Sequence, residues 1–257
     1  MEEGNIMAKV AIITGYGINA DNELKEAFLR AGAEKADRIH INDMTERPEI
    51  LDEYHILGFP GGFSFGDHLG SGMVMAHLFK KNLKKALDKF VADGKLVIGI
   101  CNGFQVLVKM GVLPNFDGDW GQEVSLIHNN TGVFENSWLN VRFNPDSPCV
   151  WTKGLTGMDI PIRHGEGRFI TKNEEVMAKI KSLNLNTVIY NDRNPNGSEE
   201  NIAGITDTTG RILGLMPHPE AFLVPENHPR WKRGEAGETG LALLKNGVDF
   251  INKGLCK

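Results

Sequence analysis

A single cysteine at a strand-to-helix junction is the residue of this sequence best suited to act as a nucleophile. Cys101 follows the apolar run Lys95–Ile100 and precedes a helix-like pattern, with glycines at positions 99 and 103. A junction of this kind holds a nucleophile on a strained turn and lifts its side chain out of the sheet. The partial positive charge of a helix N-terminus also stabilises a thiolate. We interpret Cys101 as a candidate nucleophile, with a buried structural cysteine as the alternative.

A histidine and a glutamate two residues apart could serve such a nucleophile. A thiol that attacks an acyl group needs a base, which later protonates the leaving amine, and a group that orients the base. The segment Gly214–Glu220 supplies His218 and Glu220 directly after a strand-like run. In an extended chain these two side chains project to the same side, and the flanking prolines disfavour a helix. The pair is a candidate base with its orienting carboxylate; taken alone, His218 could equally be a loop histidine.

A glycine-rich loop after another strand-like run predicts an oxyanion site. The loop has the sequence PGGFSFGD at positions 60–67. Gly61 and Gly62 leave their backbone N–H groups open to a ligand, and the N–H of Asn102 lies at a helix start, where it has no partner within the helix. A phosphate-binding loop is the competing interpretation, but the P-loop lysine and hydroxyl are absent and the glycine spacing is not GxGxxG.

Alternating strand and helix patterns in the first hundred residues predict the scaffold that positions these groups. Continuous apolar runs are typical of strands covered on both faces, whereas apolar residues three and four apart indicate helices. Their alternation predicts an α/β fold with an open, mostly parallel, doubly wound (flavodoxin-like) sheet and a site at the carboxyl ends of the strands. The predicted strands are 8–14, 37–41, 54–59 and 95–100, and the predicted helices are 21–31 and 73–92.

The second half of the chain has a different pattern. From about 122 to 170, short β-like pieces such as WLNVRF and IPIRH are separated by Pro, Asn and Gly turns. They predict an antiparallel excursion from the main sheet. We expect parallel strands to resume at 202–205 and 212–216 and a last helix at about 238–252. Because no repeat or linker is visible, residues 1–257 are predicted to form one domain, with 1–7 as a short extension.

Composition and charge exclude several classes of protein. The 257 residues are 41% hydrophobic and 24% charged, as in ordinary globular proteins. The net charge of −5 and the scattered basic residues argue against nucleic-acid binding, and no apolar run is long enough to span a membrane. Three cysteines, Cys101, Cys149 and Cys256, show no CxxC spacing. We therefore expect no disulfide framework and no metal site and, with no signal peptide visible, a cytoplasmic location.

Taken together and in order, these motifs resemble those of the class I (triad-type) glutamine amidotransferases. The segments GICNGFQ (99–105) and LGLMPHPE (213–220) carry the resemblance to this family. The segments HGEGR (164–168) and NPNGS (194–198), with IAGI (202–205), are similar more narrowly to the glutaminases of phosphoribosylformylglycinamidine synthases in purine biosynthesis. PGGFSFGD (60–67) fits the same pattern, so the similarity spans most of the chain.

The resemblance implies a role for each residue of the predicted site. Cys101 would attack the side-chain amide of glutamine, His218 would transfer the proton and Glu220 would orient His218. Ammonia would leave, and water would then cleave the γ-glutamyl thioester to glutamate. Gln105 would help to bind glutamine, while the amides near Gly61 and at position 102 would hold the oxyanion.

The resemblance also implies partners. The chain has no recognisable ATP site, so no cofactor is expected in it, and ATP and magnesium would be bound by a synthetase subunit that uses the ammonia to form the amidine. A small third subunit is implied as well. Since an uncovered amidase would waste glutamine, we expect docking of the synthetase to raise activity. His164 and Glu166 would shape the site or a partner contact, with a structural turn as the alternative.

Two other functions stay open on the sequence. A cysteine peptidase or hydrolase of related fold is the rival enzyme, disfavoured by the HPE motif at 218–220. A catalytically silent scaffold subunit is the rival without activity, disfavoured because cysteine, histidine and glutamate are all present. The segment 131–138 lacks the basic residues that are common in the family, and neither it nor 221–233 receives a role.

Overall fold

The computed structural model describes residues 7–67 and 69–254, and nine of its strands form one mixed sheet. Of the predicted extension, residues 1–6 lie outside the described residues, as does Cys256. The strands are β1 (Lys9–Thr14), β2 (Lys35–His40), β3 (Ile56–Phe59), β4 (Leu96–Ile100), β5 (Val124–Ile127), β6 (Glu135–Phe143), β7 (Gly157–His164), β8 (Arg168–Thr171), β9 (Val188–Tyr190), β10 (Ile202–Thr206) and β11 (Ile212–Leu215). The helices are α1 (Asp21–Arg30), α2 (Ile41–Glu46), α3 (Met73–Asn82), α4 (Lys84–Ala92), α5 (Asn102–Met110), α6 (Glu174–Ser182) and α7 (Leu241–Asn252).

One half of the sheet is parallel and has the doubly wound strand order. Its strands run β2-β1-β3-β4-β11, with every neighbouring pair parallel. Helices cover both faces. A Cβ built on Gly58 would meet Leu24 and Phe28 of α1, whereas the next side chain, Phe59, packs against Phe79 of α3. Because successive strand residues point to opposite faces, α1 and α3 lie on opposite sides. The predicted α/β class and open sheet are confirmed.

The other half of the sheet is antiparallel and more extensive than the sequence predicts. From β11 the order continues β10-β9-β6-β7, and each of these pairings is antiparallel. The prediction that a parallel strand resumes at 202–205 is wrong, while the one for 212–216 is confirmed by the parallel pairing of β11 with β4. The physical reason is the short connection 207–211, which closes a hairpin and is too short for a parallel crossover.

The predicted excursion at 122–170 divides between two sheets. Strands β6 and β7 form the edge of the main sheet, in agreement with the prediction. Strands β5 and β8 instead pair with each other in a separate antiparallel ribbon. Helix α6 and strand β9 follow this region. The helix begins at Asn173, whose side chain accepts a hydrogen bond from the N–H of Val176.

The single helix predicted at 73–92 is two helices. Leu83, with φ −119°, lies between α3 and α4 and ends the first of them. Its side chain is fully buried, as are those of Phe79 and Leu87 on either side. The apolar periodicity therefore continues through the break, and the prediction is wrong because tertiary packing overrides the local helical preference at this residue. Among the described helices, none has the length and apolar character needed to cross a membrane.

Candidate active site

Three adjacent parallel strands deliver the three predicted parts of the site to one edge of the sheet. Strand β4 lies between β3 and β11, with Phe59 opposite Gly99 and Leu215 opposite Ile100. The glycine loop follows β3, Cys101 follows β4, and the segment of His218 follows β11. Because parallel strands share a carboxyl edge, this order alone brings the loop, the thiol and the imidazole together.

Cys101 adopts the backbone conformation of a strained turn. It stands between β4 and α5 with φ 52° and ψ −105°, in the left-handed half of conformational space that non-glycine residues rarely occupy. The junction is also tight, since a Cβ built on Gly103 would lie 2.0 Å from the carbonyl oxygen of Phe59. The sulfur lies 3.6 Å from the carbonyl oxygen of Arg163. The predicted strand-to-helix junction is present, with the thiol held at its tip.

His218 and Glu220 form a buried pair beside the thiol. The ring Nδ1 lies 2.6 Å from Glu220 Oε1, and both residues are almost fully buried. The pair is close to the cysteine. A Cβ atom built on Gly61 would lie 2.9 Å from His218 Cε1 and 3.6 Å from Cys101 Cβ, so one small gap separates the two side chains. The second ring nitrogen, Nε2, is buried and has no hydrogen-bond partner among the described residues. The imidazole therefore donates Nδ1–H to the carboxylate and leaves Nε2 for a reacting group.

The charge of this pair is set by its surroundings. Burial lowers the pKa of His218, but the negative charge of Glu220, followed by that of Cys101, outweighs burial and raises the pKa to about 10. For a buried ring, a carboxylate at hydrogen-bond distance favours the protonated form. At neutral pH His218 is thus an imidazolium, which is the form needed to protonate a leaving amine.

The glycine loop is held by backbone hydrogen bonds to residues 17–20. The carbonyl of Gly61 accepts from the N–H groups of Asn19 and Ala20, and the N–H of Phe63 donates to Gly17. These bonds do not use the N–H of Gly61 or Gly62. At Gly62 φ is +149°, and a Cβ there would lie 2.8 Å from the carbonyl oxygen of Gly17. Only glycine fits this backbone.

The first turn of α5 ties the glycine loop to the HGEGR segment. Asn102 Oδ1 accepts from the N–H of Ser64 at 3.2 Å, and its Nδ2 donates to Gln105 Oε1 at 2.9 Å. Gln105 Nε2 in turn donates to the carbonyl of Glu166 at 2.6 Å. Because Asn102 is the first residue of α5, its own N–H has no acceptor within the helix. Asn102, Gln105 and Glu166, all named from the sequence, therefore form one hydrogen-bonded chain.

His164 is buried in a network that fixes its tautomer. Asn196 Oδ1 accepts from the N–H and the hydroxyl of Ser198, so its Nδ2 is the group that donates to His164 Nε2 at 3.0 Å and to the carbonyl of Gly167 at 2.9 Å. Burial, followed by the charge of His218, lowers the pKa of His164 to about 4. The ring is therefore neutral, with its proton on Nδ1, which has no partner among the described residues. The NPNGS segment thus supports the HGEGR segment.

A cavity of about 240 Å³ opens where these groups meet. Its lining includes Cys101, His218, Gln105, His164, Glu166 and Gly62, so most of the residues predicted from the sequence line one space. Glu220 is not part of the lining and lies behind His218, as an orienting group should.

Two charged residues of the cavity were not singled out from the sequence. Asp67 lies at the end of the glycine loop; burial and then the charge of Glu166 raise its pKa, although the Ser71 side chain opposes this by hydrogen bonding. Arg163, directly before the HGEGR segment, places its guanidinium against the histidine–glutamate pair. The PGGFSFGD motif could have indicated Asp67. Only the packing of β7 reveals Arg163.

The two segments without an assigned role have structural places. In the segment 131–138, Phe134 and Asn136 line the cavity, and Phe134 is half exposed. In the segment 221–233, the rings of Phe222 and His228 each pack edge-on against Trp138 of β6. Their centroids lie 5.0 and 4.9 Å from the Trp138 ring centroid. The second segment therefore fastens the chain after Glu220 to the antiparallel half of the sheet.

Known proteins share this chain's sequence and fold over nearly its full length. The profile of the CobB/CobQ-like glutamine amidotransferase domain matches residues 7–251. Phosphoribosylformylglycinamidine synthase subunit PurQ of Methanococcus maripaludis (strain S2) is 40% identical over 96% of this chain and 99% of its own. The PurQ subunit of Dehalococcoides mccartyi is 41% identical over 95% and 98%.

A solved structure is similar as well. A chain in the structure of PurLQS from Thermotoga maritima matches with a TM-score of 0.73 and 27% identity, over 96% of this chain and all of that one.

Proposed function

This chain belongs to the family of CobB/CobQ-like glutamine amidotransferase domains, and on that premise we propose that it is the glutaminase subunit of a phosphoribosylformylglycinamidine synthase. Its reaction would release ammonia from glutamine for a synthetase subunit in purine biosynthesis. The observation that carries the proposal is that Cys101 and His218 line one cavity, while the carboxylate of Glu220 lies 2.6 Å from the imidazole.

The first half of the reaction forms a thioester. The sulfur of Cys101, whose proton is already on His218 as part of the imidazolium, attacks the γ-amide carbon of glutamine as a thiolate, and the carbonyl electrons move onto oxygen. We assign this oxyanion to the N–H groups of Gly61, Gly62 and Asn102, because none of them is used in the backbone hydrogen bonds of the loop or has an acceptor within α5; of the three residues, Gly62 lines the cavity. His218 donates its Nε2 proton to the amide nitrogen, the C–N bond breaks and ammonia leaves.

The second half regenerates the enzyme. Neutral His218 takes a proton from water, which attacks the γ-glutamyl thioester. The C–S bond breaks, glutamate leaves, and the sulfur and the imidazolium return to their starting state. Glu220 holds Nδ1–H throughout and so keeps Nε2 directed to the reaction. One water is consumed for each glutamine, which is converted to one glutamate and one ammonia.

The electrostatics of the cavity suit an amino acid. Asp67 and Glu166 both line it, and the Lys109 ammonium interacts with both carboxylates. These two carboxylates are the acidic groups of the lining that can attract the α-ammonium group of glutamine. Gln105, which also lines the cavity and is fixed by two hydrogen bonds, is placed to bind the substrate's polar groups.

An apolar rim around the cavity supports docking of a partner. We use this name for Phe63, Leu69, Met73, Val133 and Phe134, which are each at least 40% exposed. Phe63 and Phe134 line the cavity mouth, and Leu69 lies between the lining residues Asp67 and Ser71. Exposed apolar side chains next to a site are typical of a protein interface. We assign it to the synthetase, because a covered mouth keeps ammonia from solvent.

The remaining components belong to the complex rather than to this chain. We place ATP and magnesium in the synthetase and expect a small third subunit, as the resemblance implies. Cys101 and Cys149 are free thiols, which agrees with a reducing, cytoplasmic compartment.

Labelling with a glutamine-analogue alkylator tests the proposal. The protein is incubated with the reagent, with and without excess glutamine and with and without its synthetase, and the adduct is mapped by mass spectrometry. We expect modification of Cys101 that glutamine prevents, and release of ammonia from glutamine that the synthetase increases. The C101A variant should lose both, whereas C149A, which changes a buried thiol outside the cavity lining, should retain both.

Two results would contradict the proposal and identify its rivals. Hydrolysis of peptides in preference to glutamine would indicate a cysteine peptidase. A Cys101 that stays unmodified even in the presence of the synthetase would indicate a silent scaffold subunit.

A further inference from the structure

The guanidinium of Arg163 lies directly against the proposed base. Its Nη2 is 3.2 Å from His218 Nδ1 and 3.7 Å from Glu220 Oε1. Since Nδ1 already gives its proton to the carboxylate at 2.6 Å, it cannot accept a hydrogen bond from the arginine. The guanidinium of Arg163 and the imidazolium of His218 are therefore both close to the carboxylate of Glu220. The repulsion between these two positive charges makes the protonated imidazole less stable.

A surface carboxylate on another element holds the same guanidinium. Glu23 Oε2, on α1, lies 3.0 Å from Arg163 Nη2. Both side chains are partly exposed, 47% for Glu23 and 36% for Arg163, whereas Glu220 is buried. The row Glu23–Arg163–Glu220–His218 thus alternates in charge from the surface of α1 to the base.

The charged and titratable groups around the imidazole act in opposite directions. Glu220 from its own segment and Cys101 from the start of α5 favour the protonated ring. Arg163 from β7 disfavours it by like charge, and Glu23 from α1 weakens that effect. His164, the next residue of β7, is neutral because burial and the charge of the base lower its pKa to about 4.

We propose that Arg163 is a positioning residue for glutamine hydrolysis, which shares Glu220 with His218 and so limits how firmly the imidazole holds its proton. Glu23 on α1 sets how much of the arginine charge reaches the pair. The inference rests on the proposed function, since the proton in question is the one delivered to the leaving ammonia. It assigns Arg163 a role through its neighbours and no contact with the reacting atoms.

The two residues have effects of opposite sign, which separates this role from a merely structural one. Without the arginine charge, the imidazolium keeps its proton to higher pH. Without the Glu23 carboxylate, the arginine charge acts unopposed and the proton is lost at lower pH. A charge at this distance in a partly solvated site shifts such a midpoint by about half to one pH unit.

The pH dependence of kcat/KM for glutamine tests the inference. We expect the alkaline limb of R163M to move up by about half to one pH unit and that of E23Q to move down by a smaller amount. R163K, which keeps the charge, should lie near the wild type. E26Q is the matched control, because Glu26 lies on the same helix and pairs with Arg30 at 2.7 Å instead.

A direct measurement keeps the inference separable from the proposed function. In ¹⁵N-histidine-labelled protein, the ring nitrogen shifts of His218 give its protonation midpoint without any turnover, and thermal unfolding shows whether each variant is folded. Shifts of opposite sign in folded R163M and E23Q support the inference. Unchanged midpoints, or shifts of the same sign, overturn it. Absence of glutamine hydrolysis by the wild type with its synthetase would instead contradict the proposed function and leave the NMR comparison intact.

Discussion

At the scale of single residues, this site depends on charges that are buried in pairs. His218 is almost fully buried, and its ring would be neutral if burial acted alone. The carboxylate of Glu220 reverses this, although its own Oε2 has no hydrogen-bond partner among the described residues. The protonation of the imidazole therefore depends first on the contact of 2.6 Å with Glu220 and second on the charge of Cys101.

Replacing that carboxylate gives the first prediction. In E220Q the amide no longer offers a negative charge, so burial dominates and the pKa of His218 falls. We expect kcat/KM for glutamine to fall at least about 100-fold and its alkaline limb to move to lower pH. The exposed Glu226 supplies a control, E226Q, that should behave as the wild type. An alkaline limb that stays in place in E220Q would show that Glu220 does not set the charge of His218.

The neutral His164 gives a second prediction, on acid stability. Its pKa is lowered from 6.5 to about 4 in the folded state, by burial first and then by His218. Between pH 6.5 and 4, His164 binds a proton in the unfolded chain but not in the folded chain. The contribution of neutral His164 to the free energy of unfolding is therefore complete above pH 6.5 and is lost as the pH falls toward 4. Lowering the pH from 7 to 4.5 is expected to reduce the free energy of unfolding by about 2 kcal/mol through His164.

Denaturant unfolding at the two pH values checks this. The loss of unfolding free energy from pH 7 to 4.5 should be smaller in H164Q than in the wild type by about 2 kcal/mol. H128Q, which changes a histidine whose side chain is 84% exposed, should show the wild-type loss. An equal loss in H164Q and the wild type would mean that the pKa of His164 is not lowered by folding.

At the scale of elements, the closeness of α5 to the sheet determines where the thiol stands. Gly99 in β4 and Gly103 in α5 face each other, and a Cβ built on Gly99 would lie 2.7 Å from the carbonyl oxygen of Gly103. No side chain fits between the strand and the helix at this junction. The strained φ of 52° at Cys101 is maintained by this packing on both sides.

A methyl group added at the junction is therefore expected to displace the helix. In G103A the new Cβ would lie 2.0 Å from the carbonyl oxygen of Phe59, which is backbone and cannot rotate away. We expect a loss of about 3 kcal/mol in unfolding free energy, with glutamine hydrolysis falling further than stability alone explains. In the control G121A, the added Cβ meets the flexible side chain of Asp119 at 3.2 Å, and both quantities should stay near wild type. Full activity in G103A would be incompatible with this packing.

At the scale of the whole molecule, the sheet joins two halves with different tasks. The parallel half delivers the glycine loop, the thiol and the base, while strand β7 of the antiparallel half closes the site from the other side. Although β7 lies four places from β11 in the sheet order, the N–H of His218 donates to the carbonyl of Pro161 at 2.9 Å. The cavity thus opens between the two halves, and Phe63 and Phe134 of the apolar rim line it.

The apolar rim gives a prediction about assembly. Leu69 is 73% exposed, so serine there should leave the isolated chain folded and active. If the synthetase covers the rim, L69S should weaken its binding by about fivefold or more and reduce its stimulation of glutamine hydrolysis at limiting synthetase. The control is L183S, at the end of α6, where the leucine is 43% exposed and lies outside the rim. Equal binding by L69S and L183S, measured by calorimetry, would place the interface elsewhere.

The sequence by itself determined the parts of the site that depend on short-range geometry. Cys101 at a strand-to-helix turn, the spacing of His218 and Glu220, and the glycines at 61 and 62 are local features, because strand and turn conformation follow from neighbouring residues. The parallel half of the sheet was predictable for the same reason, since alternating strands and helices leave few possible topologies.

Only the tertiary structure decided the rest. The reversal at β10 depends on hydrogen-bond partners across the sheet, and the break at Leu83 depends on what the buried leucine packs against. Arg163 meets His218 across 55 residues and Glu23 across 140, and no periodicity encodes such a contact. Local propensities specify the elements and the direction of each side chain. The charge of His218 depends first on Glu220, two residues away, but also on Cys101 and Arg163, which belong to other elements and come close to the imidazole only when the sheet is assembled.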